Sequence, residues 1–132
     1  MENRHLYRAK RIDNGRWVYG LPSYDKDGEI REIEAYEDTD VEFYAVDPST
    51  ICQCTAMPDK NGKLIWENDV CDRKEEYPEI VKYNKGDWTL DYSYSKDRES
   101  GYCYCNLGFY VLERKCVEVI GNVFDNPELL EV

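Results

Sequence analysis

The sequence has few of the residues and motifs from which enzyme active sites are built. Its 132 residues include one histidine, His5, so a Ser-His-Asp or Cys-His arrangement would depend on a base beside the amino terminus, where chains fray. Neither of the phosphate-binding loops G-x-x-x-x-G-K-S/T and G-x-G-x-x-G occurs. We therefore predict a protein that is not an enzyme, with no catalytic residue, no cofactor and no known small-molecule ligand.

Positive charge is also scarce. Lysine and arginine number 17 against 28 aspartates and glutamates, a net charge of −11 that repels nucleic-acid phosphates. The basic residues near the amino terminus would be divided between two faces of a strand, with Arg8 and Lys10 opposite Arg11. Direct binding to nucleic acid is therefore not predicted. An alternative is that the acidic surface imitates a phosphate backbone and inhibits a nucleic-acid-binding protein.

Long apolar runs are missing as well. No stretch approaches the roughly 18 apolar residues of a membrane span, and charged residues occupy the start of the chain, where a secretion signal would be apolar. We expect no membrane association and a cytoplasmic protein. With 42% hydrophobic and 14% aromatic residues the chain is expected to fold, and its length predicts a single domain over residues 1–132.

The six cysteines are two Cys-x-Cys pairs and two single residues: Cys52 and Cys54, Cys103 and Cys105, Cys71, and Cys116. On an extended strand the side chains of such a pair lie on one face, roughly 7 Å apart. Neighbouring sulfur ligands of one zinc ion lie only about 4 Å apart. Buried, reduced thiols without metal are therefore predicted. A zinc site that takes one thiol from each of two neighbouring strands is left open.

Two groups of carboxylates could have either a functional or a structural role. Glu67 and Asp69 could pair as acid and base, or could bond backbone N–H groups at a turn, which is the favoured role. Glu37, Asp38 and Asp40 could hold calcium weakly, but they lack the EF-hand loop pattern and its glycine, so a solvated loop is predicted. A metal-dependent or carboxylate-based enzyme that uses Glu67, Asp69 or the cysteines is thus an alternative function.

The residue patterns predict a mainly β fold. The 12 tyrosines suit half-buried pleated surfaces, and helical periodicity is almost absent. Residues 6–13 and 16–20 are predicted to form an amino-terminal β-hairpin, with Asn14 and Gly15 in a type I′ turn.

Three shorter segments complete the predicted elements. Asp47 is placed to cap a single helical turn that begins at Pro48. Residues 109–112 are predicted as a late strand. Residues 126–130, with proline at the first helical position, are predicted as a short carboxy-terminal helix.

Aromatic residues cluster in the second half of the chain: Trp88, Tyr92, Tyr94, Tyr102, Tyr104 and Tyr110. The spacing of the first three would place them on one face of a strand. Such a stripe can grip a peptide or stack bases, and more commonly it forms core or a subunit interface. Because the edge strands of a small β protein must be covered or paired, we expect self-association through this tyrosine-rich second half.

Three segments resemble the YopX family of phage and prophage proteins: YRAKRIDNGRWVYG at 7–20, DKNGKLIWENDV at 59–70 and VIGNVFDNPELL at 119–130. Their order and spacing extend over nearly the whole chain. Cys54 and Ala56 stand where the family has tyrosine and glycine, and Asn68 where it has glycine. Asn68 is expected to keep its turn because asparagine tolerates positive φ. Alanine is strained there, so the chain around Ala56 is expected to differ.

The resemblance implies a small, mainly β protein with an SH3-like barrel element, of phage or prophage origin, acting in the cytoplasm of a bacterial host. It implies no known activity and therefore no site residues. Together with the missing catalytic base, it favours a non-enzymatic module that binds a host or phage protein or assembles with itself. The alternatives are an acidic mimic directed at a host nucleic-acid-binding protein, and the enzyme described above.

Overall fold

The computed structural model describes residues 5–37, 39–74, 77–92, 94 and 105–131. The chain divides into two compact units, Met1–Cys54 and Thr55–Val132, and antiparallel strands dominate both. The predicted mainly β fold is confirmed. The single domain over residues 1–132 and the SH3-like barrel element stay predictions. In the described part of the chain, no helix is long and apolar enough to cross a membrane.

The first unit is an antiparallel sheet with the strand order β4-β3-β2-β1-β5. Its strands are β1 (Tyr7–Lys10), β2 (Trp17–Tyr24), β3 (Ile30–Glu37), β4 (Asp40–Ala45) and β5 (Cys52–Pro58), the last of which continues into the second unit. A 3₁₀ helix, Pro48–Thr50, precedes β5. The carboxylate of Asp47 accepts the N–H of Ser49, so the predicted cap is confirmed.

The amino-terminal hairpin is confirmed, but its predicted turn type is wrong. A type I′ turn needs positive φ at both central residues, and Gly15 has a φ of 72° whereas Asn14 has no positive φ. The Arg11 N–H donates to the carbonyl oxygen of Arg16, and the Gly15 N–H donates to that of Arg11, so residues 12–15 form a longer loop. Arg11, which directly follows β1 at the start of this loop, also pairs with Val46.

One face of this sheet carries the core of the first unit. The buried residues are Ala9, Val18, Ile33, Ala35 and Val46. β2 and β3 approach closely at Gly20, where a Cβ atom would overlap the carbonyl oxygen of Glu34. Glycine is therefore required there by the distance between two backbones rather than by its φ angle.

One end of β4 is joined to the end of β1. Arg11 pairs with Val46, and the Ile12 N–H donates to the carbonyl oxygen of Ala45 at 3.0 Å. The hydrogen-bonding edge of β4 is therefore covered at Ala45.

The second unit contains an antiparallel sheet with the order β10-β9-β8-β7-β11, and a strand β6 that is hydrogen-bonded to β5. Its strands are β6 (Leu64–Trp66), β7 (Asp69–Asp72), β8 (Glu79–Asn84), β9 (Asp87–Asp91), β10 (Cys105–Asn106) and β11 (Glu118–Asn122). Among its described residues, the buried side chains of the core are Ile65, Cys71, Val81, Leu90, Leu107, Val111 and Val117.

The prediction of a strand at residues 109–112 is wrong. They belong to a π-helical turn, Phe109–Glu113, whose start is held by a hydrogen bond from the Phe109 N–H to the side chain of Asn106. The turn buries Val111 in the core, so packing outweighs the strand propensity of this apolar run. The carboxy-terminal helix is confirmed as a 3₁₀ helix, Pro127–Leu130.

Ala56 lies within β5 and has a φ of 66°, and Asn68 has a φ of 71°. Replacing Ala56 with glycine is expected to stabilise the fold by about 1 kcal/mol, because the left-handed region strains a side chain with a Cβ. The measurement is the midpoint of urea unfolding. The matched control is Ala45→Gly on exposed β4, where φ is not positive and glycine is expected to destabilise by about 0.5–1 kcal/mol. A variant A56G that is less stable than the parent would contradict strain at this position.

Candidate functional site

Glu67 lies in the tight turn between β6 and β7, and Asp69 is the first residue of β7. The carboxylate of Asp69 is 1% exposed and accepts the N–H of Trp66 at 2.8 Å. Asn68 takes the positive φ of the turn between them. The favoured structural role is therefore confirmed for Asp69. A carboxylate that holds its own turn from a buried position is poorly placed to receive a substrate's proton.

Asp59 is a second structural carboxylate, which the sequence interpretation missed. It is buried, and its oxygens accept the N–H groups of Asn61, Lys63 and Val119 at 2.9–3.0 Å. Burial alone would raise the pKa of Asp59, but the three N–H donors outweigh it and hold the pKa below its ordinary value. The signal available in the sequence was the run Asp-Lys-Asn-Gly, in which an aspartate bonds the backbone of its own turn.

None of the five cysteines within the described residues belongs to a disulfide. Cys52 and Cys54 are buried two positions apart on β5, as the strand interpretation predicts, and burial raises the pKa of the Cys71 thiol well above its ordinary value. Cys103 lies outside the described residues, so the geometry of the second Cys-x-Cys pair is untested. Among the described side chains no group of three His, Cys, Asp or Glu could hold a metal ion. The absence of metal stays a prediction.

Arg73 and Glu79 form a largely buried ion pair in the second unit. Arg73 Nε donates to Glu79 Oε1 at 2.6 Å, and the two side chains are 9% and 1% exposed. The guanidinium also lies over the ring of Tyr110 at 4.2 Å and within 3.3 Å of the Cys105 sulfur. Burial would lower the pKa of Arg73, but the hydrogen bond and the charge of Glu79 raise it above its ordinary value. Arg73 therefore stays charged.

An open cleft of about 450 Å³ lies beside this pair, lined by Arg73, Tyr110, Arg114 and Cys116. Arg73 is neutralised by Glu79, and the exposed Arg114 guanidinium lies 5.5 Å from the ring centre of Phe109. The side chains of the cleft are thus held by partners within the protein. The sequence offered no signal for this cluster, because its members are far apart along the chain: Arg73 follows β7, Glu79 begins β8, and Tyr110, Arg114 and Cys116 lie in or just after the π-helical turn.

The described members of the predicted aromatic stripe are half-buried rather than exposed. Trp88 packs edge-on against Tyr83 with ring centres 5.1 Å apart. Tyr92 stacks on Tyr77. Tyr94 donates to the carbonyl oxygen of Pro78, and burial raises the pKa of Tyr94 to about 12. These side chains serve packing within the second unit.

Tyr102 and Tyr104 lie outside the described residues, as does Asp38 of the acidic loop. Strand β9 ends at Asp91. The prediction that one strand carries three aromatics through Tyr94 is therefore wrong.

Exposed apolar side chains occur on both units, and a group of them lies together on the first unit. The ladder of β3 with β4 pairs Glu34 with Phe43 and Tyr36 with Val41, so these residues share the sheet face opposite the core. Tyr36, Val41 and Phe43 are 51%, 45% and 54% exposed. We call Tyr19, Tyr36, Val41 and Phe43 the outer face. An exposed patch of this kind is typical of a surface that another protein covers.

The comparison with family models gives one match of nearly full length. The family described as YopX protein matches residues 6–131. The chain belongs to the YopX family. No curated protein matches this YopX-family chain.

Among solved structures, the crystal structure of protein EF1440 from Enterococcus faecalis resembles the YopX-family chain in fold. The two share 21% sequence identity and a TM-score of 0.57, over 94% of this chain and 96% of EF1440. At this identity the likeness shows the fold alone. It carries no activity to this chain.

Proposed function

We propose that this YopX-family chain is a non-enzymatic protein-binding module whose binding surface is the outer face of the first unit. The observation that carries the proposal is the exposure of Tyr36, Val41 and Phe43 side by side on two paired strands. Burying such side chains against a partner contributes about 25 cal/mol per Å² of apolar surface. The partner is a protein of the host or of the phage, met in the bacterial cytoplasm.

The roles of the buried polar residues support this proposal. Asp59 and Asp69 bond backbone N–H groups, and Glu79 is paired with Arg73. Each of these contacts stabilises a turn or a strand of the second unit. Their burial keeps them from acting on a substrate in solution.

Capture from a bacterial lysate, with identification by mass spectrometry, tests the proposal. We expect the tagged protein to retain a specific protein that is lost when Tyr36 and Phe43 are both replaced by serine. The matched control replaces Tyr83 and Leu112, two exposed apolar residues of the second unit, and is expected to retain the same protein.

Circular dichroism confirms that both double variants remain folded before capture is compared. A captured protein that both double variants retain equally would overturn the proposal. So would a parent protein that captures nothing from lysates of the host.

A further inference from the structure

The hydrogen-bonding edge of β4 is open over two residues among those described. The Val46 N–H donates to the carbonyl oxygen of Arg31, and the carbonyl oxygen of Ala45 points away from β3, to Ile12. In an antiparallel ladder the N–H and C=O groups of one residue point toward one neighbouring strand, and those of the next residue point toward the opposite side. The N–H and C=O groups of Val41 and Phe43 therefore point outward from the sheet.

The two ends of this open edge differ. Ile12 occupies the position opposite Ala45, so an added strand cannot continue past Phe43 in that direction. A cleft of about 210 Å³ lies at this end, lined by Arg11, Ile12, Asp13, Phe43, Tyr44 and Ala45. Ile12 and Phe43 are both exposed there, and together they offer an apolar contact to the end of an incoming chain.

The side chains of β4 alternate in chemistry as well as in direction. Val41 and Phe43 lie on the outer face, whereas Asp40 and Glu42 lie on the other face, and all four are exposed. A strand added to this edge meets apolar side chains on one face and carboxylates on the other. Basic residues are the complement of those carboxylates.

The same charges disfavour a second copy of β4. An antiparallel copy must pair outward-pointing residues with each other, and it must avoid Ile12. A register that meets both conditions places Glu42 of one chain opposite either Glu42 or Asp40 of the copy. Like charges directly opposite one another destabilise a ladder, so the edge is protected against self-pairing.

We propose that the open edge of β4 binds an extended segment of a partner protein in which basic and apolar residues alternate, added as a further strand of the first-unit sheet. The proposal rests on the proposed function and names the chemistry of the partner. Main-chain hydrogen bonds from Val41 and Phe43 supply affinity, and Asp40 and Glu42 supply the preference for basic residues.

An NMR titration with synthetic peptides tests this inference. A peptide in which valine and lysine alternate is expected to shift the amide resonances of Ile12 and of residues 40–43. A peptide in which valine and glutamate alternate is expected to leave them unchanged. A valine–lysine peptide with alternate backbone nitrogens methylated is expected to bind at least about tenfold more weakly, equivalent to about 1.4 kcal/mol, because it lacks the donors of a ladder.

Two variants locate the site. Val41→Pro removes an outward-pointing N–H without removing a hydrogen bond of the β3–β4 ladder, and Glu42→Lys reverses the central charge. Each is expected to weaken the valine–lysine peptide at least about tenfold. The charge-matched control is Asp87→Lys, at an exposed position of the second unit, and its affinity is expected to equal that of the parent.

Several outcomes would overturn the inference. They are an absence of shifts at residues 40–43, equal weakening by E42K and D87K, or light scattering that shows a dimer lost in V41P, which would assign the edge to a second copy. If capture of a lysate protein is lost when Phe43 is replaced but is retained in V41P and E42K, the edge of β4 is not the binding site. The proposed function would still hold in that case.

Discussion

Replacing Glu79 with alanine is expected to lower the free energy of unfolding by about 3–5 kcal/mol, because it leaves the buried guanidinium of Arg73 without its carboxylate. The two side chains are 9% and 1% exposed and lie 2.6 Å apart, so removing the carboxylate leaves a mostly buried charge without its partner. Urea denaturation followed by tryptophan fluorescence measures the change.

Two further variants test whether the loss of stability comes from burial of the pair rather than from the loss of any ion pair. Arg31 pairs with Asp25 at 3.1 Å on the surface and is 60% exposed, so Arg31→Ala is expected to cost less than about 1 kcal/mol. Replacing Arg73 and Glu79 together with methionine and leucine is expected to recover most of the stability, since no uncompensated charge remains. An E79A variant as stable as the parent would show that the pair is open to solvent.

Replacing Gly20 with alanine is expected to destabilise the protein by about 3 kcal/mol. The added Cβ would overlap the carbonyl oxygen of Glu34, and an atom of the backbone cannot move aside as a flexible side chain can. Because β2 and β3 carry the core of the first unit, the whole unit must adjust. Thermal unfolding by circular dichroism measures the effect.

The control for this variant is Gly108→Ala. A Cβ at Gly108 would lie 3.3 Å from the side-chain oxygen of Asn106, which can shift by a few tenths of an ångström, so a change below about 1 kcal/mol is expected. If G20A and G108A unfolded at the same temperature, the close approach of β2 and β3 would be refuted.

The features that could be predicted from the sequence depend on neighbouring residues. Asp47 and Pro48 specify a helical turn because the carboxylate reaches an N–H two residues away. Asp69 holds its own turn in the same way. The strand character of residues 52–54 follows from local propensity and places both thiols of that pair in buried positions.

Other features depend on residues that are distant in the sequence. At the turn of residues 12–15, which differs from the prediction, Arg11 pairs with Val46, and no pattern around Asn14 contains that partner. The π-helical turn at Phe109–Glu113 replaces a strand because Val111 packs into a core assembled from several strands.

The exposure of the aromatic residues also depends on residues that are distant in the sequence. A tyrosine in the sequence does not predict which face of a strand is buried, since its side chain is compatible with both core and surface. Packing buries much of Trp88, Tyr92 and Tyr94, and it leaves Tyr36 and Phe43 exposed beside an open edge. The sequence by itself determined the mainly β fold, the helical cap at Asp47 and the family. Only the tertiary structure decided which aromatic side chains and which strand edge are presented to a partner, because burial and register depend on what each strand packs against.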